Sequence, residues 1–385
     1  MTDFFFAPCP RGLERALGSE LAALGAGDID VTDGGVGFAG PWTLVYRVNL
    51  ESRIASRVLW RIGQARYRNE DDIYRAALAL RWQQWFDVGC TIRVKLSAIK
   101  SPLKSLDYAT LKIKDAVCDR FRETANQRPS VDTHAPDVRI HAFLTADAIT
   151  FYLDTSGEAL FKRGWRREAG DAPLRENLAA GILKLAGWQP GTALYDPFCG
   201  SGTFLIEAAM IALDIAPGAR RSFGFEKLKN FDRAAWQYLL DAARARERRP
   251  ETLNIFGSDL YGDVLKTAHA NLAALGLENA VPLKQVNVLE ASPPAAGGII
   301  VANPPYGVRL EEAQLAEFYP KLGDALKQRF AGWTAHLLTA DLRLAKLIGL
   351  KPSKRTPLYN GALECRLFEF QIAAGSWRNR KAGVN

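Results

Sequence analysis

From residue 192 to residue 372 short apolar runs alternate with segments of helical spacing, and few folds accommodate that alternation. The apolar runs lie at 193–196, 254–259, 281–286, 298–302, 333–339 and 366–372, and helical spacing occupies 203–213, 264–275, 317–328 and 342–348. Strands joined by crossover helices run parallel, and a parallel sheet is covered on both faces. The expected fold is therefore α/β with a mostly parallel sheet. Ligands of open α/β sheets bind past the carboxyl ends of the strands, so chemistry is sought in the residues that follow each apolar run. A longer insertion, 216–251, separates the first helix from the second strand, and its helix ends in Arg244, Arg246, Arg248 and Arg249.

Four strand ends stand out. After the first strand comes Asp196-Pro197-Phe198-Cys199-Gly200-Ser201-Gly202-Thr203, a glycine-rich turn that lets a ligand approach the backbone N–H groups at a helix start. No Gly-Lys-Ser/Thr follows, so it is not a P-loop, and its spacing is not that of a dinucleotide fingerprint. Its acidic residue suits an ammonium. The second strand ends in Ser258-Asp259-Leu260, placing a carboxylate where it can accept from both hydroxyls of a ribose. Asn287-Val288 follows the third strand, where an amide can meet an adenine edge. Asn303-Pro304-Pro305-Tyr306-Gly307 follows the fourth. Two prolines fix φ and withhold two N–H groups, so an Asn carbonyl, a rigid main-chain carbonyl and an aromatic face are presented together. That set fits a flat group bearing an NH2; taken alone, the stretch reads equally as an ordinary Pro-Pro loop.

Ahead of the sheet the pattern is α+β. Residues 4–7 read as a strand, 12–24 as a helix, 31–38 as a glycine-rich hairpin, 71–86 as an amphipathic segment, 91–96 as a half-buried strand, 108–122 as a helix, and 138–144 with 148–153 as two more strands. Basic residues gather here: Lys95, Lys100, Lys104, Lys112 and Lys114, then Arg163, Arg166, Arg167 and Arg175 around Trp165. A charge run is either a solvated face or a phosphate-contacting one, and Trp165 either a stacking platform or a core anchor. Pro173 is placed for the first turn of a helix ending at Leu185. The net charge of +8 fits a polyanionic partner. No signal pattern or membrane-length apolar run occurs, and five scattered cysteines with four histidines form no zinc or disulfide pattern. A cytoplasmic protein without a metal or a membrane contact is expected.

Asp-Pro-Phe-Cys-Gly-Ser-Gly-Thr and Asn-Pro-Pro-Tyr, in this order and at this separation, resemble the class I S-adenosylmethionine-dependent methyltransferases that modify exocyclic amines of bases. The front end resembles a THUMP domain with a ferredoxin-like companion. Phe161-Lys162-Arg163-Gly164-Trp165-Arg166 with Ala172-Pro173-Leu174-Arg175-Glu176-Asn177-Leu178-Ala179 is similar to that family's connector. The nearest resemblance is to the large-subunit ribosomal RNA guanine-N2 methyltransferases. It implies a Rossmann-like domain with a mostly parallel seven-stranded sheet at 191–385, a ferredoxin-like subdomain at 1–59, a THUMP domain at 60–155 and a connector at 156–190.

The resemblance further implies cofactor contacts from Asp196 through Thr203, from Asp259, Leu260, Asn287, Val288 and Asn303, and catalysis by Asn303, Pro304, Pro305 and Tyr306. RNA contacts are expected at Lys95, Lys100, Lys104, Lys112, Lys114, Arg163, Trp165 and Arg166. The expected cofactor is S-adenosylmethionine, leaving as S-adenosylhomocysteine, and the expected partner is 23S ribosomal RNA or a large-subunit assembly intermediate. Asn287 stands where many relatives carry Asp. The chain ends before a second methyltransferase domain, so one modification is expected. Adenine-N6 methylation of RNA or DNA, a protein glutamine methyltransferase and a non-catalytic RNA-binding assembly factor are the competing readings.

Overall fold

The computed structural model describes residues 2–166, 174–248, 252–305 and 312–373. They divide into two compact units, Met1–Cys9 with Leu17–Leu160 and Gly218–Ala242, and Pro10–Ala16 with Phe161–Pro217 and Ala243–Asn385.

In the first unit the elements run β1 (Asp3–Pro8), α1 (Glu14–Ala23, from Leu17 on), β2 (Gly27–Thr32), β3 (Gly35–Gly40), α2 (Leu44–Glu51), β4 (Leu59–Arg66), α3 (Glu70–Ala79), β5 (Ile92–Ala98), α4 (Leu106–Ala125), β6 (Val138–Leu144) and β7 (Ala148–Asp154). One seven-stranded sheet in the order β2-β3-β1-β4-β7-β6-β5 takes in all the strands, so the sheet does not break between residues 59 and 60. The joint is β1, which pairs β3 through Phe5↔Phe38 and β4 through Phe5↔Trp60.

Strict alternation in β6 and β7 turns Ile140, Ala142, Ile149, Phe151 and Leu153 to one face, where they pack on Ile73 and Ala77 of α3 and Ile113, Val117 and Phe121 of α4. Each fully buried Phe or Ile there contributes about 1.5–3 kcal/mol. Both helices are capped by their own sequence. Asn69 accepts from Asp72 N–H at 3.0 Å and Ser105 from Tyr108 N–H at 3.2 Å, and Asn126 closes α4 at φ +50°. The amphipathic segment 71–86 is not one helix. α3 stops at Ala79, and the Trp82 indole N–H turns back to the Ala77 carbonyl at 2.8 Å, giving a short 3₁₀ turn at Trp82–Gln84. Residues 218–242, sequentially inside the insertion, belong to this unit. Tyr46 of α2 packs between Phe225 and Trp236 of that segment, at 4.9 and 6.3 Å between ring centroids.

The second unit carries α5 (Glu176–Leu185), β8 (Leu194–Asp196), α6 (Thr203–Ala212), the end of α7 (Arg233–Arg246), β9 (Ile255–Asp259), α8 (Gly262–Ala273), β10 (Leu283–Gln285), β11 (Gly298–Ala302), α9 (Glu312–Arg329), β12 (Trp333–Thr339), α10 (Leu344–Leu347), β13 (Lys354–Asn360) and β14 (Leu363–Gln371). Its sheet runs β10-β9-β8-β11-β12-β14-β13. The pairs from β10 to β12 are parallel and those made by β14 antiparallel, so the sheet is mixed, with β14 alone reversed. β8 lies between β9 and β11 while the chain passes from β8 to β9 and only later to β11. The strand order therefore reverses at β8, and a crevice opens past its carboxyl end. Among the described residues no helix is long and apolar enough to cross a membrane.

Candidate active site

Three of the four strand ends singled out in the sequence belong to neighbouring strands, β9, β8 and β11, and the fourth follows β10 at the sheet edge. The turn after β8 is held by its own backbone: Cys199 N–H donates to the Ser258 carbonyl at 2.9 Å and Gly202 N–H to the Cys199 carbonyl at 2.8 Å. Gly200 at φ +53° and Gly202 at φ +83° occupy left-handed backbone, the latter as the N-cap of α6, and a side chain at either would be strained. The turn thereby brings the N-terminus of α6, with its partial positive charge, to the strand end.

Asp196 is buried, its Oδ1 accepting from Phe198 N–H at 3.1 Å. No cationic side chain pairs with it among the described residues. Burial, opposed by that hydrogen bond and reinforced by the nearby Asp259, pushes its carboxyl well above the usual range. Asp259 is half-buried; its Oδ2 accepts from Gly200 N–H at 3.0 Å and its Oδ1 from Tyr261 N–H at 3.2 Å, which fixes the carboxylate while lone pairs remain for a ligand. The buried Cys199 thiol is pushed well up by burial and then by the Asp196 and Asp259 carboxylates, which disfavours the nucleophilic thiolate.

Past β11, Asn303 Oδ1 is buried and has no hydrogen-bond partner among the described residues. A buried acceptor without a donor costs about 1–3 kcal/mol, and such an atom at a strand end is what a site awaiting an N–H donor presents. The loop is braced from below by the Tyr319 hydroxyl, which donates to the Pro305 carbonyl at 3.2 Å. Tyr306 and Gly307 lie outside the described residues. Asn287 uses its Oδ1 to accept Leu289 N–H at 3.1 Å, so its remaining lone pair and its amide hydrogens face any base there; Val288 is buried in the core, and only its main chain can reach a cofactor. Leu260 is half exposed beside Asp259.

The connector behaves differently from its sequence reading. Arg163 is buried and ion-paired with Glu207 of α6, Nε to Oε1 at 3.1 Å; Trp165 is 2% exposed. Neither can touch RNA, because each is consumed in the core. Arg166, half-buried, is engaged within the same unit. Its guanidinium donates to Glu176 Oε1 at 2.8 Å, Thr203 Oγ1 at 2.9 Å, Ser201 Oγ at 3.3 Å and the Leu174 carbonyl at 3.3 Å. It ties α5 to the glycine turn, and nothing in its spacing announces this. Arg167, Ala172, Pro173 and Arg249 lie outside the described residues. Of the lysines, Lys95, Lys100 and Lys104 are exposed, whereas Lys112 pairs with Asp71 at 2.9 Å and Lys114 with Asp115 at 2.7 Å.

The buried carboxylate of Asp196, the helix N-terminus opened by two glycines and the carboxylate of Asp259 are arranged to hold a cationic amino-acid nucleoside, with the unpaired acceptor of Asn303 past the next strand. The donor set fits S-adenosylmethionine, with Asp196 for its ammonium and Asp259 for its ribose.

Known proteins agree. The family description "RMKL-like, methyltransferase domain" matches residues 163–369, "THUMP domain" residues 67–154, and "RlmL ferredoxin-like domain" residues 4–59. The putative RNA methyltransferase slr0064 of Synechocystis is 38% identical, with 96% of each chain covered. The ribosomal RNA large subunit methyltransferase K/L of Syntrophotalea carbinolica is 42% identical over 96% of this chain, which spans 53% of that relative's length. A crystal structure of SMU.472, described as a putative methyltransferase complexed with SAH, has a TM-score of 0.88 and 32% identity, covering 97% of this chain and 99% of its own. The chain belongs to the RMKL-like methyltransferase family, with a THUMP domain and an RlmL ferredoxin-like domain ahead of the catalytic one.

Proposed function

We propose that the protein methylates the exocyclic N2 amine of a guanine in 23S ribosomal RNA. The observation that carries methylation of an amine is the orphaned Asn303 Oδ1 past β11, and the choice of guanine rests on the relatives. An exocyclic amine is a poor nucleophile while its lone pair is delocalised into the ring. Accepting one N–H at Asn303 Oδ1 and the other at the Pro304 carbonyl favours a pyramidal nitrogen and turns its lone pair toward the donor. The cofactor, when bound, would supply an electrophilic methyl on its sulfonium: the amine nitrogen would take the methyl, the sulfur would keep the bonding pair, and the proton released from nitrogen would pass to water. Asp196 and Asp259 hold the donor, Arg166 and Glu176 keep the glycine turn in place, and catalysis consists chiefly of alignment. The base must leave its stack to reach the loop.

Ribosomal RNA as the substrate is supported by the K/L relatives' names and by the matched THUMP region. Within this reading residues 1–59 and 60–155 recruit RNA, 156–190 connect, and 191–385 catalyse. Adenine-N6 methylation is the second reading, because adenine offers the same amine to Asn303, and a Listeria neighbour at 30% identity and TM-score 0.86 is described as a predicted N6-adenine-specific DNA methylase.

Two measurements test the proposal. Mass spectrometry of ribosomal nucleosides from a deletion strain is expected to show loss of N2-methylguanosine; loss of N6-methyladenosine instead would establish the second reading. Asn303→Ala is expected to keep cofactor affinity within about threefold while methyl transfer drops by at least about a hundredfold. Turnover near wild type in that variant would remove Asn303 from the mechanism.

A further inference from the structure

The first unit's sheet has a second face, opposite α3 and α4, and its composition is unusual. Register places Lys95 of β5, His141 of β6, Tyr152 of β7 and Arg61 of β4 side by side across four strands. The row continues onto β1, where the Arg61 guanidinium lies 4.2 Å over the Phe4 ring. Phe143 occupies the next row, directly beside Thr150. Lys95 and Arg61 are exposed, Phe4 is 44% exposed, and His141, Phe143 and Tyr152 are half-buried. Asp154, two residues beyond Tyr152 on β7, is buried and already paired with Arg57 and His141. From Lys95 to Phe4 the row therefore interleaves cations with rings, and the exposed acid on this face, Asp30, lies beyond it on β2.

We infer that this sheet face, from Lys95 across Tyr152 to Phe4, binds single-stranded RNA by stacking unpaired bases on its rings and pairing phosphates with its cations; the inference rests on the reading that the substrate is RNA. Strands lie about 4.8 Å apart, so Lys95 and Arg61 are separated by roughly 14 Å, the reach of a short run of extended nucleotides. The chemistry selects single strands. A-form RNA hides its base faces inside the stack and offers aromatic side chains nothing to stack against, whereas splayed bases present π-faces to them. Cations alone would suit any phosphate chain; the interleaved rings narrow the ligand to one with accessible bases. The face and Asn303 belong to separate units, so the strand it holds would be a loop or linker of the same RNA and not the target base itself.

The test uses the full-length protein and a labelled single-stranded RNA of about 12 nucleotides, read by fluorescence anisotropy. Tyr152→Ala combined with Phe143→Ala is expected to weaken binding about tenfold or more, Tyr152→Phe to bind as the native protein does, and Lys95→Ala to reduce the salt slope by about one. A native far-UV circular dichroism spectrum and a cooperative urea transition in each variant show that the first unit is folded. Should the alanine pair bind the single strand as the native protein does, or should the native protein prefer a duplex of equal length, the inference fails, whatever the nucleoside analysis shows. Conversely, tenfold weakening in a protein whose deletion leaves N2-methylguanosine unchanged supports the binding face and overturns only the guanine assignment.

Discussion

Asp196 shows how one residue can be costly before the ligand arrives and useful afterwards. Its folded-state pKa is raised, mainly by burial, above the unfolded value of about 3.9. The folded protein therefore binds that proton more tightly than the unfolded chain does, and stability falls as pH rises from the unfolded value through the raised one. A bound ammonium reverses the preference, so cofactor affinity rises across the same window. Asp196→Asn keeps the shape and the Phe198 hydrogen bond but removes the charge. It is expected to make the free protein more stable at neutral pH, to lower S-adenosylmethionine affinity at least about tenfold, and to flatten the pH dependence of that affinity. Calorimetric titration and urea unfolding at several pH values measure all three; an affinity unchanged from native would detach Asp196 from the ammonium. Much of this residue was legible beforehand, since Asp196, Gly200, Gly202 and Asp259 follow apolar runs in a sheet whose strand order dictates where ligands sit. Arg166 was not, because its four partners are drawn from residues 174, 176, 201 and 203, and only the folded turn brings them to one guanidinium.

At the scale of elements, α6 reads as an apolar helix, Thr203–Ala212, except for Glu207, which the structure buries completely. Its charge is tolerated because Arg163 meets it edge-on from the connector. Such a pair need not stabilise the fold relative to apolar residues, but removing one member leaves an uncompensated buried charge. Arg163→Ala is expected to destabilise the protein by about 3–5 kcal/mol, and Arg163→Leu with Glu207→Leu to recover most of that loss. Urea unfolding of the two variants decides it, and a cost below about 1 kcal/mol for the single change would mean the charge is satisfied elsewhere. The sequence, by contrast, read Arg163 as an RNA contact, since a lone Arg beside a Trp and a Gly looks the same whether it faces phosphate or a buried carboxylate 44 residues away. β13 escaped notice for a related reason. Lys354-Arg355-Thr356-Pro357 lacks the apolar alternation of a core strand, and charge with proline is how an edge strand guards its open side.

At the scale of the whole molecule, what the sequence hid was strand pairing. Residues 1–59 and 60–155 each read as a self-contained α+β pattern, and the matched families divide there as well. Yet β4 pairs with β1 on one side and β7 on the other. Pairing between strands more than fifty residues apart leaves no periodic trace, and β4's own alternation is interrupted by a bulge between Arg61 and Gly63. The joint is also a packing joint. The Trp60 ring packs tilted against Trp42 at 4.8 Å and edge-on to Trp85 at 6.2 Å, and its indole N–H donates to Asp3 at 3.1 Å. A fragment of residues 60–155 would thus expose an unpaired strand edge beside a half-covered indole, the combination that promotes edge-to-edge association. It is expected to aggregate, and addition of residues 1–59 as a separate chain is expected to restore a dispersed species. Light scattering on the fragment with and without its partner measures this. A monodisperse fragment with a cooperative melt would show that β4 needs no partner from residues 1–59, and that the sheet is two domains abutted and not one structure.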